Sequence, residues 1–195
     1  AMLWRDLPGN LVGDAVTPEA AGVKRLSTNG RRDVEILTQP PLHLLAFAAT
    51  APVFDGPEDR NGRRNHDEIA FWATHLPDAP FVLAGNANLD PVDGDGRKDA
   101  IRALLADPRL TDPLPRSDGA KAAADADQKG DPSLDTADWP DGKPGNLRVT
   151  YVLPASGLTI TGSGTFWPAE GQPLSQAAAT ASPHKLVWLD LEIGG

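Results

Sequence analysis

Residues 42 to 84 carry the pattern that most restricts the fold of this chain. Leu42–Thr50 is apolar at nearly every position, which predicts a central strand covered on both faces. Residues 66–76 carry apolar side chains at helical spacing, and Phe81–Ala84 is a second short apolar run. A strand, a helix and a strand in succession predict an α/β layer.

The start of that helix is predicted from a capping pattern. Residues 55–67 are polar and are predicted to form a loop. Asn65 is followed three residues later by Glu68, which resembles a capping box at a helix N-terminus. Pro77 is expected to end the helix. The predicted apolar face consists of Ile69, Trp72 and Leu76.

Shorter patterns predict the remaining elements. Residues 34–37 predict a strand that a tight connection joins to the strand at 42–50. A second helix is predicted at about 97–106. Residues 107–142 are rich in Asp and small residues, which predicts a long acidic loop on the surface. The C-terminal third is predicted to be β, with strands at 147–153, 158–166 and 185–193.

Composition limits the class of protein. A length of 195 residues suits a single domain over 1–195, and 19 Gly with 19 Pro predict short elements joined by many turns. The 27 acidic against 18 basic residues give a net charge of −9, the wrong sign for a broad nucleic-acid-binding face. The absence of cysteine excludes disulfides and thiolate zinc ligands.

The sequence does not indicate a compartment. It has no apolar run of about 18 residues, so no membrane-spanning segment and no membrane partner are predicted. The N-terminus lacks the charged and apolar regions of a signal peptide, so none is predicted. The localisation is left open.

Four separate segments occur in one order along the chain: HLLAFAATAPVFDG (43–56), FVLAGNANLDP (81–91), NLRVTYVLP (146–154) and SPHKLVWLDL (182–191). Their order, spacing and strand context resemble the C-terminal half of the endonuclease/exonuclease/phosphatase family. The resemblance implies an α/β fold in which a mixed, largely antiparallel sheet covered by helices forms one half of a four-layer α/β/β/α sandwich. In that family a divalent metal, usually Mg²⁺, activates a water against a phosphodiester or phosphomonoester.

The resemblance also assigns roles to single residues. Asn86 and Asn88 match the family's G-D-x-N motif, whose Asp orients or deprotonates the attacking water and whose Asn binds phosphate. An amide has neither a basic lone pair at neutral pH nor a charge for a metal. Asn86 is therefore not expected to do the work of the Asp.

Three further family positions are substituted. Ala48 stands where a histidine usually contacts the reacting phosphate, and Thr150 stands where the D-Y-x-L motif has its carboxylate. The terminal S-D-H motif reads Ser182-Pro183-His184, which keeps the histidine and loses the acid that orients it. His184 is therefore either a retained contact to phosphate or water, or a strand-edge histidine without such a role.

The resemblance also predicts a missing partner layer. The family's N-terminal half adds a second sheet with a metal-binding Glu, and this chain is expected to begin after those elements. The sheet face that would meet the second sheet is then expected to be an exposed apolar patch. A homodimer or a missing N-terminal fragment is the expected partner.

Other candidate residues have two interpretations each. Asp90, Asp93 and Asp95 suggest a cation-binding loop in which Asp90 is a possible metal ligand, although the spacing does not fit an EF-hand. The alternative is an acidic turn that caps the next helix. Arg64, beside Arg60 and Arg63, could bind a substrate phosphate or form local ion pairs. Trp139 could stack on a substrate or pin the acidic loop, while Asn88 could bind phosphate or hold its turn.

The sequence leads to one hypothesis and two rivals. The leading hypothesis is a non-catalytic protein, degenerate or engineered, that keeps the fold of this metal-dependent phosphoesterase family. One rival is a Mg²⁺- or Mn²⁺-dependent phosphodiesterase or phosphatase with residual activity through Asn88 and His184, and the other is a self-associating assembly module. No cofactor is expected unless the chain is active, in which case Mg²⁺ or Mn²⁺ is, and a phosphate ester is a possible ligand.

Overall fold

The computed structural model describes residues 2–26 and 32–193. Its six strands are β1 (Arg32–Ile36), β2 (Leu42–Ala48), β3 (Phe81–Asn86), β4 (Thr150–Pro154), β5 (Thr159–Phe166) and β6 (Leu186–Glu192). Its α-helices are α1 (Pro18–Ala21), α2 (Arg60–Ala70), α3 (Lys98–Leu105), α4 (Asp118–Ala122) and α5 (Ser175–Ala181). Short 3₁₀ helices cover Trp4–Asp6, Phe71–Thr74 and Pro132–Leu134.

The strands form two sheets. β1, β2, β3 and β4 pair in that order; the β2–β3 pair is parallel and the other two pairs are antiparallel. β5 and β6 form a separate antiparallel pair. The predicted mixed, largely antiparallel α/β architecture is thus confirmed.

The main core lies between the four-stranded sheet and the helices on one of its faces. Alternate residues of the strands point into this core, because side chains along a strand alternate between its two faces. The large buried members of this core include Leu45, Phe47, Leu83, Tyr151 and Leu153 from the sheet, and Ile69, Trp72, Ile101 and Leu104 from the helices.

The opposite face of this sheet is only partly covered. Leu44, Ala46, Ala84 and Val152 lie on it at intermediate exposure, and the edge residue Val34 is 49% exposed. We call these five residues the open face. Leu42 and Val82 lie on the same face and are only 5% and 6% exposed, so β2 is covered on this side at Leu42 and partly covered at Leu44 and Ala46.

Helix α2 begins earlier than the capping pattern predicts. It starts at Arg60, where the Asp55 carboxylate accepts a hydrogen bond from the Asn61 backbone N–H. Asn65 is buried in the middle of the helix, and its amide donates to the carbonyls of Thr50 and Ala87, each at 2.7 Å. The predicted loop is confirmed over residues 55–59 and wrong over residues 60–67, which belong to α2; the capping box is wrong, because Asn65 and Glu68 bond to partners in the interior.

Two further polar residues of α2 dock other segments. The Asp67 carboxylate accepts from Trp4 Nε1 at 2.6 Å and from the Leu11 backbone N–H at 2.7 Å. Glu68 Oε2 accepts from the Thr50 backbone N–H at 2.6 Å. This helix is thus held by buried hydrogen bonds as well as by apolar contacts.

The segment over 107–142 is not simply a surface loop. It contains α4 and the 3₁₀ turn at Pro132–Leu134, and it buries Asp135, Thr136 and Ala137 almost completely. The C-terminal third is also not wholly β, since it contains α5. The structure confirms, within two residues, the strands predicted at 81–84, 158–166 and 185–193 and the helix predicted at 97–106. No helix in the described ranges has the length and apolarity to cross a membrane.

Candidate functional site

Three of the positions that the resemblance gives as substituted lie side by side across the sheet. Ala48 is the last residue of β2, Asn86 is the last of β3 and Thr150 is the first of β4. The strand register pairs Ala48 with Asn86 and Asn86 with Thr150. Directly paired residues point to the same face of a sheet. The three side chains therefore form one row, which we call the strand-end row, at the edge of the open face.

The two asparagines after β3 hold a tight turn. Asn86 Oδ1 accepts from the Asn88 backbone N–H at 2.8 Å, and Asn86 Nδ2 donates to Asn88 Oδ1 at 3.1 Å. Asn88 adopts a positive φ of 51° and donates through Nδ2 to the Ala49 carbonyl at 2.8 Å. Both amides thus take part in the local backbone geometry, as Asn side chains commonly do in turns.

A buried threonine ties the strand-end row to the C-terminal segment. Thr136 Oγ1 accepts from the backbone N–H groups of Val149 and Thr150, both at 2.9 Å. The Thr136 carbonyl accepts from the Lys185 backbone N–H at 2.9 Å. Thr136 therefore fixes the start of β4 beside the segment that carries His184.

His184 lies against the acidic segment. It forms a β-bridge with Ala137, and its ring meets that of Trp139 edge to face with centroids 5.2 Å apart. The Pro183 carbonyl accepts from the Asp138 backbone N–H at 2.9 Å. Burial lowers the pKa of His184 below its ordinary value, so the neutral imidazole is favoured. In the part of the chain that the structure describes, no side chain hydrogen-bonds to this ring.

Asp90 serves the loop that follows β3. Its Oδ1 accepts from the backbone N–H groups of Val92 and Asp93, and its Oδ2 accepts from that of Arg148 at 2.8 Å. Asp90 is 5% exposed. Both carboxylate oxygens are therefore used in fixing the loop against the residues before β4.

A cavity of about 660 Å³ opens beside the strand-end row. Asn88, Asp90 and Trp139 contribute to its lining. Trp139 also packs on the small cluster of Ala137, Leu147 and Val149. The same side chain thus contacts apolar residues under the acidic segment and borders the cavity.

Arg64 does not line this cavity. It lies on α2, where its Nε donates to Glu68 at 2.9 Å and its Nη2 donates to the Arg25 carbonyl at 2.7 Å. The neighbouring Arg63 pairs with Asp14 at 2.8 Å. These contacts match the predicted ion pairs and not a shared anion site.

Sequence reasoning overlooked two buried residues that support the site. They are Thr136 and Arg148. The Arg148 guanidinium donates to the two carboxylate oxygens of Asp112 at 2.5 and 2.8 Å and lies 4.8 Å from the centre of the Tyr151 ring. The only sequence signal for Arg148 is its place between apolar residues in the alternating run before β4. Thr136 offers no such signal, because its partners are backbone groups of distant segments.

The fold and the strand-end row define an α/β protein whose candidate site lies at one edge of its four-stranded sheet. The family model named "Endonuclease/Exonuclease/phosphatase family" matches residues 7–184. Since this match covers most of the chain, the protein belongs to the endonuclease/exonuclease/phosphatase family.

Two solved structures match this chain. The endonuclease/exonuclease/phosphatase from Beutenbergia cavernae matches with a TM-score of 0.56 at 17% identity, over 84% of this chain and 39% of that chain. A family protein from Leptotrichia buccalis matches with a TM-score of 0.45 at 15% identity, over 83% of this chain and 53% of that chain. The present chain thus spans well under two thirds of either protein. No curated protein matches it.

The residues of the strand-end row do not fit the divalent metal that the family resemblance implies. Ala48 offers no donor, Thr150 offers a neutral hydroxyl, and Asn86 Oδ1 already accepts from Asn88. Mg²⁺ is held in proteins mainly by carboxylates and waters. Within residues 2–26 and 32–193, no group of three or more His, Asp or Glu side chains is arranged to hold a metal ion.

Proposed function

We propose that this protein is a non-catalytic member of the endonuclease/exonuclease/phosphatase family. One observation carries the proposal: Ala48, Asn86 and Thr150 lie in register at one edge of the sheet. An alanine, an amide and a hydroxyl supply neither a general base nor a negative charge at neutral pH. The row keeps the geometry of a site and lacks the groups for acid–base or metal-assisted hydrolysis.

The size of the expected loss supports the proposal. A general acid or base contributes about 10²–10⁴-fold to a rate, and a metal ion stabilises the transition state by several kcal/mol more. Substitution at Ala48, Asn86, Thr150 and Pro183 would remove several such contributions together. The rate contributions of groups that act as a unit are not additive, but no single remaining residue is expected to replace all of them.

The polar residues that remain also support it. His184 favours the neutral form and lacks a carboxylate that would orient its ring. Asn88 uses its backbone N–H and its Oδ1 in bonds to Asn86, and its Nδ2 in a bond to the Ala49 carbonyl. Neither residue is placed to activate a water.

Hydrolysis of an aryl phosphodiester and an aryl phosphomonoester tests the proposal. The full chain is assayed with Mg²⁺, with Mn²⁺ and with chelator, beside the Asn88→Ala and His184→Ala variants. We expect no chelator-sensitive turnover from any of the three proteins. Turnover that the chelator and both variants abolish would overturn the proposal in favour of a phosphodiesterase or phosphatase with residual activity. Turnover that the variants leave unchanged would indicate a contaminating enzyme.

Restoring the acids tests whether the row is the family site. The double variant Asn86→Asp with Thr150→Asp places two carboxylates on adjacent strands, so we expect Mg²⁺ or Mn²⁺ to raise its melting temperature. Binding at 100 times the Kd stabilises by about 2.7 kcal/mol. The matched control, Gln176→Glu with Thr159→Asp, adds the same charge at exposed positions elsewhere. Equal metal responses of the two double variants would count against the alignment of the row.

We also propose that the open face mediates self-association. The open face is apolar and partly exposed, and it continues to the sheet edge at β1, where Val34 and Ile36 are 49% and 41% exposed. A second copy offers the same apolar surface, and its β1 edge can pair with the β1 edge of the first copy about a two-fold axis. Contiguous exposed apolar surface of this kind commonly marks an interaction site.

A further inference from the structure

Strand β6 is paired along its whole length on one side and only at its start on the other. β5 lies along the first side. On the second side, the Lys185 backbone N–H donates to the Thr136 carbonyl at 2.9 Å, and His184 forms a β-bridge with Ala137. From Leu186 onward, no segment within residues 2–26 and 32–193 pairs with this second side, which we call the outer edge of β6.

The hydrogen bonds of β5 show which backbone groups of β6 point to the outer edge. The Thr165 N–H donates to the Arg116 carbonyl at 3.2 Å, so it points away from β6. Thr165 is paired with Val187. In an antiparallel pair, opposed residues alternate between those that bond to each other and those whose backbone groups point away. The N–H and C=O groups of Val187 and, two residues on, of Leu189 therefore point outward.

These outward groups have no partner among the residues that the structure describes. No described backbone or side-chain group bonds to the N–H or C=O of Val187 or Leu189. The alternation agrees with the bond made by Lys185, which lies two residues before Val187 and also points outward. A row of unpaired N–H and C=O groups on a strand is a template for the pairing of another strand.

The side chains of β6 do not shield its outer edge. The Trp188 indole lies over β5, since a Cβ at Gly164 would lie 2.8 Å from its Cζ2 and a Cβ at Gly162 would lie 3.2 Å from its Cζ3. Leu186 is 67% exposed and Trp188 is 41% exposed. The strand sequence LVWLDLE contains neither Lys nor Pro, the residues with which edge strands commonly prevent further pairing.

Asp190 and Glu192 indicate the charge of a fitting partner. Both are exposed and lie on the same face of β6 as Trp188, and neither has an ion pair within the described ranges. Basic residues opposite them on an added strand would stabilise the pairing, and acidic residues would weaken it. A second copy paired about Leu189 would place Trp188 opposite Asp190 and Leu186 opposite Glu192, and would supply no cation.

We infer that the outer edge of β6 binds an extended peptide strand of another protein, with apolar residues at alternate positions and basic residues opposite Asp190 and Glu192. The backbone of the added strand would bond to Val187 and Leu189, which is recognition by β-strand addition. It would also turn the two-stranded sheet into a three-stranded one, and two strands alone are only marginally stable. This inference depends neither on hydrolysis of phosphate esters nor on self-association through the open face.

Fluorescence anisotropy of labelled peptides with the full chain tests the inference. The probe is the capped peptide Lys-Val-Lys-Val-Tyr-Val-Thr, which in antiparallel register places its two Lys opposite Glu192 and Asp190. The control probe has Glu in place of both Lys. We expect the Lys peptide to bind about tenfold more tightly, with a difference that shrinks as salt is raised. Equal affinities, or no binding of the Lys peptide at millimolar concentration, would overturn the inference.

N-methylation of the peptide tests the backbone bonds. Methyl groups on the fourth and sixth backbone nitrogens remove the donors that would face Leu189 and Val187, and should weaken binding about tenfold or more. Methyl groups on the third and fifth nitrogens replace N–H groups that would face away, and should leave binding nearly unchanged. Equal effects of the two methylation patterns would rule out strand addition at this edge.

An exchange of charge localises the added strand. Asp190→Lys with Glu192→Lys should reverse the preference, so that the Glu peptide binds more tightly than the Lys peptide. The matched control, Asp141→Lys with Glu170→Lys, makes the same change in charge at exposed positions outside β6 and should keep the wild-type preference. The same preference in both double variants would overturn the site. A wild-type mass of two chains that Leu189→Pro reduces to one would also overturn it, because a second copy would then occupy the edge.

Discussion

Asp135 is a carboxylic acid in surroundings that disfavour its charge. It is 1% exposed and receives one hydrogen bond, from Gln128 Nε2 at 2.7 Å. Burial is the main cause that raises its pKa to about 7, and Asp90 and Asp93 add to the shift. In the folded protein this side chain therefore keeps its proton at pH values where an exposed Asp has lost it.

This shift predicts a loss of stability as pH rises. Between about pH 4 and pH 7 the folded state binds a proton at Asp135 that the unfolded state has released, so the free energy of unfolding should fall by at most about 4 kcal/mol across that window. Asp135→Asn should remove this contribution. Urea denaturation at pH 4.5 and pH 7.5 measures it, with the exposed Asp118→Asn as control. The same pH slope in wild type and Asp135→Asn would contradict the prediction.

Single residues also show where sequence reasoning fails. Asn65 and Glu68 have the spacing of a capping box, yet both are buried inside α2 and bond to backbone groups near Thr50. A polar residue with a distant backbone partner looks, in sequence, like one that faces water. The resemblance singled out Ala48, Asn86 and Thr150 one by one, but their alignment in one row follows only from the strand pairing.

At the scale of elements, β2 and β3 are paired at a glycine where there is no room for a side chain. Gly85 pairs with Phe47 in the parallel register. A Cβ at this position would overlap the backbone carbonyl oxygen of Phe47 and contact its ring. The parallel pair at the centre of the sheet thus depends on the absence of a side chain at Gly85.

Gly85→Ala should therefore destabilise the fold by about 3 kcal/mol or more, because neither backbone can shift without breaking the ladder. Gly157→Ala is the matched control, since a Cβ there meets no atom within 4 Å. Urea and thermal denaturation of both variants provide the comparison. Similar stability of the two variants would show that β2 and β3 are not packed in this register.

The elements that sequence patterns predicted well are those with a local signal. β3, β5, β6 and α3 carry apolar runs or helical periodicity and were placed within two residues. α5 was missed because the segment SQAAATA has no apolar stripe, and none of its residues is buried. α4 is five residues long and gives little pattern of its own. Its position depends on contacts with the turn at Pro132–Leu134.

At the scale of the whole molecule, the sheet has one buried face and the open face. The resemblance predicted exposed apolar surface, because it implies a second sheet that would pack there. Val34 and Ile36 at the sheet edge are exposed, whereas Leu42 and Val82 on the same face are buried, so the missing second sheet stays a prediction. Which partner covers the surface could not be read from the sequence, because an apolar stripe does not specify what packs on it.

Light scattering after gel filtration tests self-association through the open face. We expect a mass near twice 20.6 kDa for the wild type at high concentration. Val34→Asp places a charge on the open face and should shift the mass to that of one chain. Val23→Asp is the control, because Val23 is 74% exposed and lies outside the sheet. A monomeric wild type, or equal masses for the two folded variants, would contradict the proposal.

The strand-end row has a consequence for the history of this protein. The positions of Ala48, Asn86 and Thr150 are set by the pairing of β2, β3 and β4, and not by bonds between the three side chains. Ala48 and Thr150 can therefore change without loss of the strand pairing, whereas a change at Asn86 would also remove the bonds that hold the turn to Asn88. The row is also open to recruitment, since a new chemistry would need only new side chains at three positions that the sheet already holds side by side.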